Sequence, residues 1–200
     1  LLFIIINKSA SRPNLPNGIE LKNHLMMAPM TTCTRFHDGT VSSERVEYYQ
    51  ARAGSIGTVI VECCFIDESG RAFPYATGID NDEKIAGLAK IARVIKAEGS
   101  KAILQIYHGD RMVDPKLIGE RTPVAPSALG AEAVADMEVK FGEAVRRTIQ
   151  AGFDGVEIHG ANTYLIRQFG SPNSNQRDDE RGGSRDKRAR FPLAVLEITR

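Results

Sequence analysis

Four times along the 200-residue chain, a short apolar run is followed by a stretch whose apolar residues recur every three or four positions. The runs cover residues 25–29, 58–61, 102–106 and 155–158. Pro29 stops the first, and the β-branched run Thr58-Val59-Ile60-Val61 suits a strand buried on both faces. The first helix is expected over 43–53, capped by Ser43, with Glu44 in its first turn and Gly54 as its stop. Asn81 and Asp82 open the second, which keeps Ile85, Leu88, Ala92 and Ile95 in step and closes at Gly99. The third carries Val134, Met137, Phe141, Val145 and Ile149 and ends at Gly152. A fourth starts near Lys187 and continues to Arg200. Upstream, Asn17-Gly18 between Leu15 and the alternating Ile19-Glu20-Leu21 predicts a tight hairpin. Repeated βα units imply an α/β fold with a parallel sheet and outer helices. An open doubly wound sheet and a (β/α)8 barrel both satisfy that order. Four units make half of such a barrel, a whole one taking about 250 residues.

Composition removes several partners. Twenty-six basic and 25 acidic side chains leave a formal charge of +1, which gives no electrostatic reason to expect nucleic acid or an anionic membrane. No stretch approaches the roughly 18 apolar residues of a membrane span. The apolar run over 1–6 has neither a basic region before it nor a small-residue cleavage site after it, so it reads poorly as a signal peptide. We treat residues 1–14 as an irregular N-terminal segment and assign them no function. The three cysteines, Cys33, Cys63 and Cys64, are odd in number and lack metal-ligand spacing. That argues against a disulfide framework or a metal site, and fits a reducing cytoplasm. Cys63 and Cys64 read as small buried hydrophobes. His24, His37 and His108 read as surface or packing residues, and the charged run 177–190 as a solvated loop and helix start.

The polar residues gather where strands end. Thr31 follows the first run, Glu62 and Cys63 the second, Gln105 closes the third, and His159 follows the fourth. Parallel α/β folds bind ligands at the carboxyl ends of their strands. No Gly-x-Gly-x-x-Gly, Gly-x-Ser-x-Gly or His-Glu-x-x-His pattern is present. In the segment His159-Gly160-Ala161-Asn162-Thr163-Tyr164, the His159 ring N–H and the Asn162 amide can both donate to one oxygen. Such a pair can stabilise negative charge developing on that oxygen, and Tyr164 can supply a proton. Taken alone, the same residues also fit a turn with a buried tyrosine behind it.

Several motifs in order resolve that ambiguity. Ala28-Pro29-Met30-Thr31, Leu104-Gln105-Ile106-Tyr107-His108-Gly109, Pro123-Val124-Ala125-Pro126-Ser127 and the long segment from His159-Gly160-Ala161-Asn162 through Ser171-Pro172, Asn175, Arg177, Asp179, Gly182-Gly183-Ser184 and Phe191 closely resemble the old yellow enzyme family. The likeness runs over residues 15–200. It implies the N-terminal half of an FMN-binding (β/α)8 TIM barrel, with NADH or NADPH as reductant and an activated alkene such as an enone as substrate. By the same resemblance, Ala28, Pro29, Met30, Thr31, Cys63 and Gln105 would hold the flavin. His159 and Asn162 would bind the substrate oxygen, Tyr164 would donate the proton, and Cys33 would sit over the substrate.

The sequence departs from that family in places. Thr163 stands where glycine is usual, which predicts a strained or rearranged turn before Tyr164. Arg167 replaces a common histidine, Gly170 and Asn173 replace apolar residues, and Arg181 replaces an aromatic. The family's flavin-phosphate loops follow the seventh and eighth strands, and a flavin-contacting arginine follows the fifth. Two functions therefore compete: an FMN oxidoreductase of which this is a part, or a truncated, catalytically silent half barrel that pairs with another copy through its open edge. A tRNA-dihydrouridine synthase is a weaker third reading, because residues 105–109 contain no catalytic cysteine of that kind.

Overall fold

The computed structural model describes residues 11–15, 18–33 and 36–200. Strands β1 (Met26–Met27), β2 (Thr58–Phe65), β3 (Lys101–Tyr107) and β4 (Gly155–Ile158) form one sheet in that spatial order, every neighbouring pair parallel. Helices α1 (Ser43–Ala53), α2 (Ile85–Ala97) and α3 (Ala131–Gln150) make the crossovers. After β4 come a short helix, α4 (Leu165–Gly170), and then α5 (Arg185–Ile198).

The core lies between the sheet and its helices. Val59, Val61, Ala102, Leu104 and Ile106 meet Tyr49, Leu88, Ile91, Ile95, Phe141 and Phe191 there, all essentially without solvent contact. Burying each large apolar side chain contributes about 2 kcal/mol. On β3 the alternate residues Ile103 and Gln105 lie on the opposite face and stay half-exposed. Near the amino ends of the strands that face borders a cavity shared by Leu15, Ile19, Leu21, Met26, Thr58 and Ile103. The N-terminal turn therefore sits below the strands and leaves their carboxyl ends open.

Most expected elements form, with corrections at their ends. Ser42, not Ser43, caps α1 by accepting the Arg45 N–H at 3.3 Å. Starting there places Arg45, Tyr49 and Ala53 four residues apart on one buried stripe. The first strand shortens to two residues, and Met26 is 60% exposed, because it faces the cavity side and not the helices. The second continues through Phe65, so Glu62 and Cys63 lie inside it beside a register shift between Val61 and Cys64. Ile149, in the last turn of α3, is 66% exposed. The N-terminal turn closes through Leu15 N–H to Ile19 C=O at 2.8 Å and an antiparallel bridge between Asn14 and Glu20. Gly18 supplies the positive φ of 83°, while Asn17 and the run 1–6 lie outside the described residues.

The charged run 177–190 is not simply solvated. Arg177 donates to the carbonyls of Pro126 and Leu129 and pairs with Asp179, and Arg181 pairs with Glu138 at 3.0 Å. These contacts tie the long loop after β4 to the segment that enters α3.

Candidate active site

The loops after β1, β2, β3 and β4 meet on one rim. At its β1 side, Ala28 and Met30 are exposed and Pro29 is half-buried. Thr31 Oγ1 contacts Cys63 Sγ at 3.3 Å. Burial pushes the Cys63 thiol up to about 11, so it stays protonated near neutral pH and is a packing group, not a nucleophile. Cys64, one residue on, is fully enclosed in the helix-side core. Cys33 is exposed in a left-handed conformation (φ 50°), and burial followed by the Glu62 charge raises its thiol too.

Glu62 anchors the loop that carries these residues. Its carboxylate meets Arg45 Nε at 2.6 Å, and both side chains are wholly buried. It also accepts from the Thr32 backbone N–H at 2.6 Å, the Thr32 hydroxyl at 2.9 Å and the Thr77 hydroxyl at 2.7 Å. Arg45 reaches on to the Thr40 and Tyr75 carbonyls. A buried carboxylate is tolerable only with this degree of satisfaction.

On β3, Gln105 donates from Nε2 to Glu157 Oε1 on β4 at 2.7 Å. That bond orients the amide while leaving its carbonyl oxygen uncommitted. The next turn is pinned through His108, which is fully buried. His108 Nδ1 accepts the Asp110 N–H at 3.1 Å, so the proton resides on Nε2, which contacts Ser69 Oγ at 3.1 Å. Ser69 in turn donates to Asp67. Burial lowers the His108 ring to about 4 and keeps it neutral. Its carbonyl accepts the Leu165 N–H at 3.1 Å, which fixes the start of α4 and hence Tyr164.

His159, Asn162 and Tyr164 come together as a unit. The Ala161 N–H lies 3.3 Å from His159 Nδ1 and donates to it, leaving the ring's hydrogen on Nε2. Asn162 Nδ2 sits 3.4 Å from that Nε2. Both nitrogens then carry hydrogen, so they do not satisfy each other and instead offer two donors to one incoming acceptor. Burial lowers the His159 ring below its ordinary value, which favours this neutral form. Its ring lies 4.7 Å from that of Tyr164, which is 7% exposed and shares an apolar cluster with Cys63, Phe65, Ala76 and Tyr107. Burial, with a smaller contribution from Cys63, pushes the Tyr164 hydroxyl up to about 12. It therefore holds its proton at neutral pH, and that hydroxyl has no hydrogen-bond partner among the described residues.

The turn that makes this grouping is strained. Asn162 and Thr163 both have positive φ, 51° and 60°. The expected strain at Thr163 is therefore present, and for a β-branched residue it is costly. Sequence reasoning missed Arg45, Tyr107, Glu157 and the neutral His108. Arg45 carried one usable signal, a charge at the same helical spacing as Tyr49 and Ala53.

Comparisons with known proteins agree with this architecture. The chain is 74% identical to an NADH:fumarate oxidoreductase of Klebsiella pneumoniae (strain 342), over 92% of its length and 21% of that protein's. It is 52% identical to an NADH:acrylate oxidoreductase of Vibrio harveyi, covering 92% of itself and 20% of the relative. The old yellow enzyme homologue of Zymomonas mobilis superposes with a TM-score of 0.91 at 30% identity, over 96% of this chain and 59% of the other. Morphinone reductase in complex with tetrahydroNAD gives 0.90 at 29% identity, over 96% and 60%. The chain thus spans about a fifth of those two curated relatives and about three-fifths of the solved barrels. The sequence pattern of the NADH:flavin oxidoreductase / NADH oxidase family matches residues 15–200, and the chain belongs to that family.

Proposed function

We propose that this chain forms the substrate-handling half of an FMN-dependent NAD(P)H oxidoreductase that reduces activated alkenes. The observation that carries the reading is the paired donor set of His159 Nε2 and Asn162 Nδ2, 3.4 Å apart, beside a protonated and unpartnered Tyr164 hydroxyl. The rim suits a flavin ring: Gln105 presents an oriented amide, Thr31 a hydroxyl, and Ala28, Pro29 and Met30 an exposed apolar edge. Bound FMN, reduced by NADH or NADPH, supplies the hydride that goes to the electron-poor carbon of the alkene.

The protein's own groups do the rest. His159 and Asn162 donate to the substrate oxygen and stabilise the charge that develops there. Tyr164 gives its proton to the neighbouring carbon, completing the addition of two hydrogens across the double bond. Arg45 and Glu62 hold the Thr31–Cys33 loop in place, and the His108 turn holds α4.

Two relatives are named for fumarate and acrylate, alkenes activated by a carboxylate, and the test includes them beside an enone. The purified protein should show a flavin absorbance band that bleaches with NADH or NADPH without oxygen and returns when alkene is added. A colourless protein that takes up no added FMN would sink this reading and favour the silent half barrel. Bleaching without recovery on any alkene would remove the substrate assignment alone.

A further inference from the structure

Beside the His159–Asn162 pair, between the loops that follow β3 and β4, lies a polar cavity of about 90 Å³. Arg111, Thr163, Arg167, Gln168, Ser171 and Ser174 line it. Most arginines near this rim are spent on carboxylates or carbonyls, as Arg177 and Arg181 are. Arg111 and Arg167 are different: both are exposed, and neither guanidinium has an ion pair or a hydrogen bond among the described residues. The adjacent Asp110 carboxylate is buried and makes no ion pair with the Arg111 guanidinium, although the Arg111 charge favours its ionised form. Ser171 Oγ accepts the Asn173 N–H at 3.3 Å, and its own hydrogen remains available to a ligand. Two guanidinium groups without an ion pair among the described residues and a hydroxyl, all lining one cavity, make a receptor for a tetrahedral oxyanion.

Sequence and backbone strain point to the same place. Thr163 and Arg167, two of the positions where this chain departs from the old yellow enzyme pattern, both line the cavity. Thr163 does so in a left-handed conformation, the kind of cost a fold retains at a functional site.

We propose that Arg111, Arg167 and Ser171 bind the pyrophosphate of the reducing nicotinamide dinucleotide. This rests on the function proposed above, with the nicotinamide ring taking the place later occupied by the alkene. Thr163 is bonded to both Asn162 and Tyr164, so an anion here lies close to the clamp. A ribose is the spacer a dinucleotide provides between its nicotinamide and its first phosphate.

The test compares two reductants in the full-length protein: NADH, and 1-benzyl-1,4-dihydronicotinamide, which has no phosphate. In Arg167→Gln, and more strongly in Arg111→Gln/Arg167→Gln, the ratio of kcat/KM for flavin reduction by NADH to that by the phosphate-free donor should fall tenfold or more. Inorganic pyrophosphate should compete with NADH in the unmodified protein and lose that ability in the double variant. An unchanged ratio, or equal pyrophosphate competition in both proteins, would overturn the assignment. A shift in the KM for fumarate with none for NADH would overturn it too, assigning the cavity to a substrate carboxylate. If neither donor reduces the flavin, the proposed function fails separately. Calorimetric binding of pyrophosphate then decides the subsite, which stands if the double variant loses binding and falls if the unmodified protein never binds.

Discussion

The Arg45 guanidinium and the Glu62 carboxylate meet at 2.6 Å with both side chains closed off from water. Helix α1 and strand β2 are thereby joined directly beneath the loop that carries Thr31, Thr32 and Cys33. Removing one partner strands the other as an uncompensated buried charge, at a cost of about 3–5 kcal/mol. Glu62→Ala should therefore lower unfolding stability by that amount in urea titrations. Arg45→Met/Glu62→Leu should cost much less than the sum of its single changes. A Glu62→Ala loss below about 1 kcal/mol would show that water reaches the pair.

Tyr164→Phe keeps the ring and its packing on Tyr107 and His159 but removes the acidic proton. Stopped-flow traces should show alkene reduction slowed by about 100-fold, the usual range for loss of a general acid. Flavin reduction by NADPH should change little. Equal slowing of both half-reactions would argue against Tyr164 as the proton donor.

Burial, opposed in part by the Arg111 backbone N–H and charge, pushes the Asp110 carboxyl up to about 7 from an ordinary 3.8. A raised carboxyl favours the folded state fully below 3.8, and that contribution is lost as pH rises through about 7. The full effect is on the order of a few kcal/mol. Asp110→Asn keeps the shape and tolerates the φ of 56°. Its melting temperature should exceed that of the unmodified protein at pH 8, with the gap closing towards pH 4. A pH-independent difference would mean that Asp110 does not titrate in this window.

Thr163 holds a β-branched side chain at φ 60° with only its bond to the Asn162 carbonyl in return. Thr163→Gly should stabilise the fold by about 1 kcal/mol, relief of strain outweighing the entropy that glycine adds to the unfolded chain. A melting temperature that falls would show that the hydroxyl contributes more than the backbone loses.

The βα repeat was legible because its signals are local. Gly99 and Gly152 close their helices with positive φ, and the apolar positions of α2 and α3 keep helical spacing as far as the last turn of α3. The grouping of His159, Asn162 and Tyr164 was legible because it lies within six residues. What escaped was long-range or polar. Arg45 reads as an ordinary surface charge until β2 brings Glu62 to it. The side-chain partner of His108 is remote in sequence, since Ser69 is 39 residues away. Helix α4 is too short for periodicity to register. Arg177 and Arg181 read as solvated because composition cannot say which carbonyls and carboxylates a loop will meet.

The register shift in β2 explains why two adjacent cysteines have separate fates. Val59 and Val61 face the helices, and strict alternation would send Cys63 after them and turn Cys64 to the other side. The bulge between Val61 and Cys64 inverts that parity: Cys64 goes to the helices, and Cys63 reaches Thr31 and the tyrosine cluster. One added residue thus works as a phase switch for the whole upper half of the strand. Deleting a single residue there would leave the composition of β2 almost intact while exchanging its two faces, so the chemistry of this rim depends on counting as much as on residue identity.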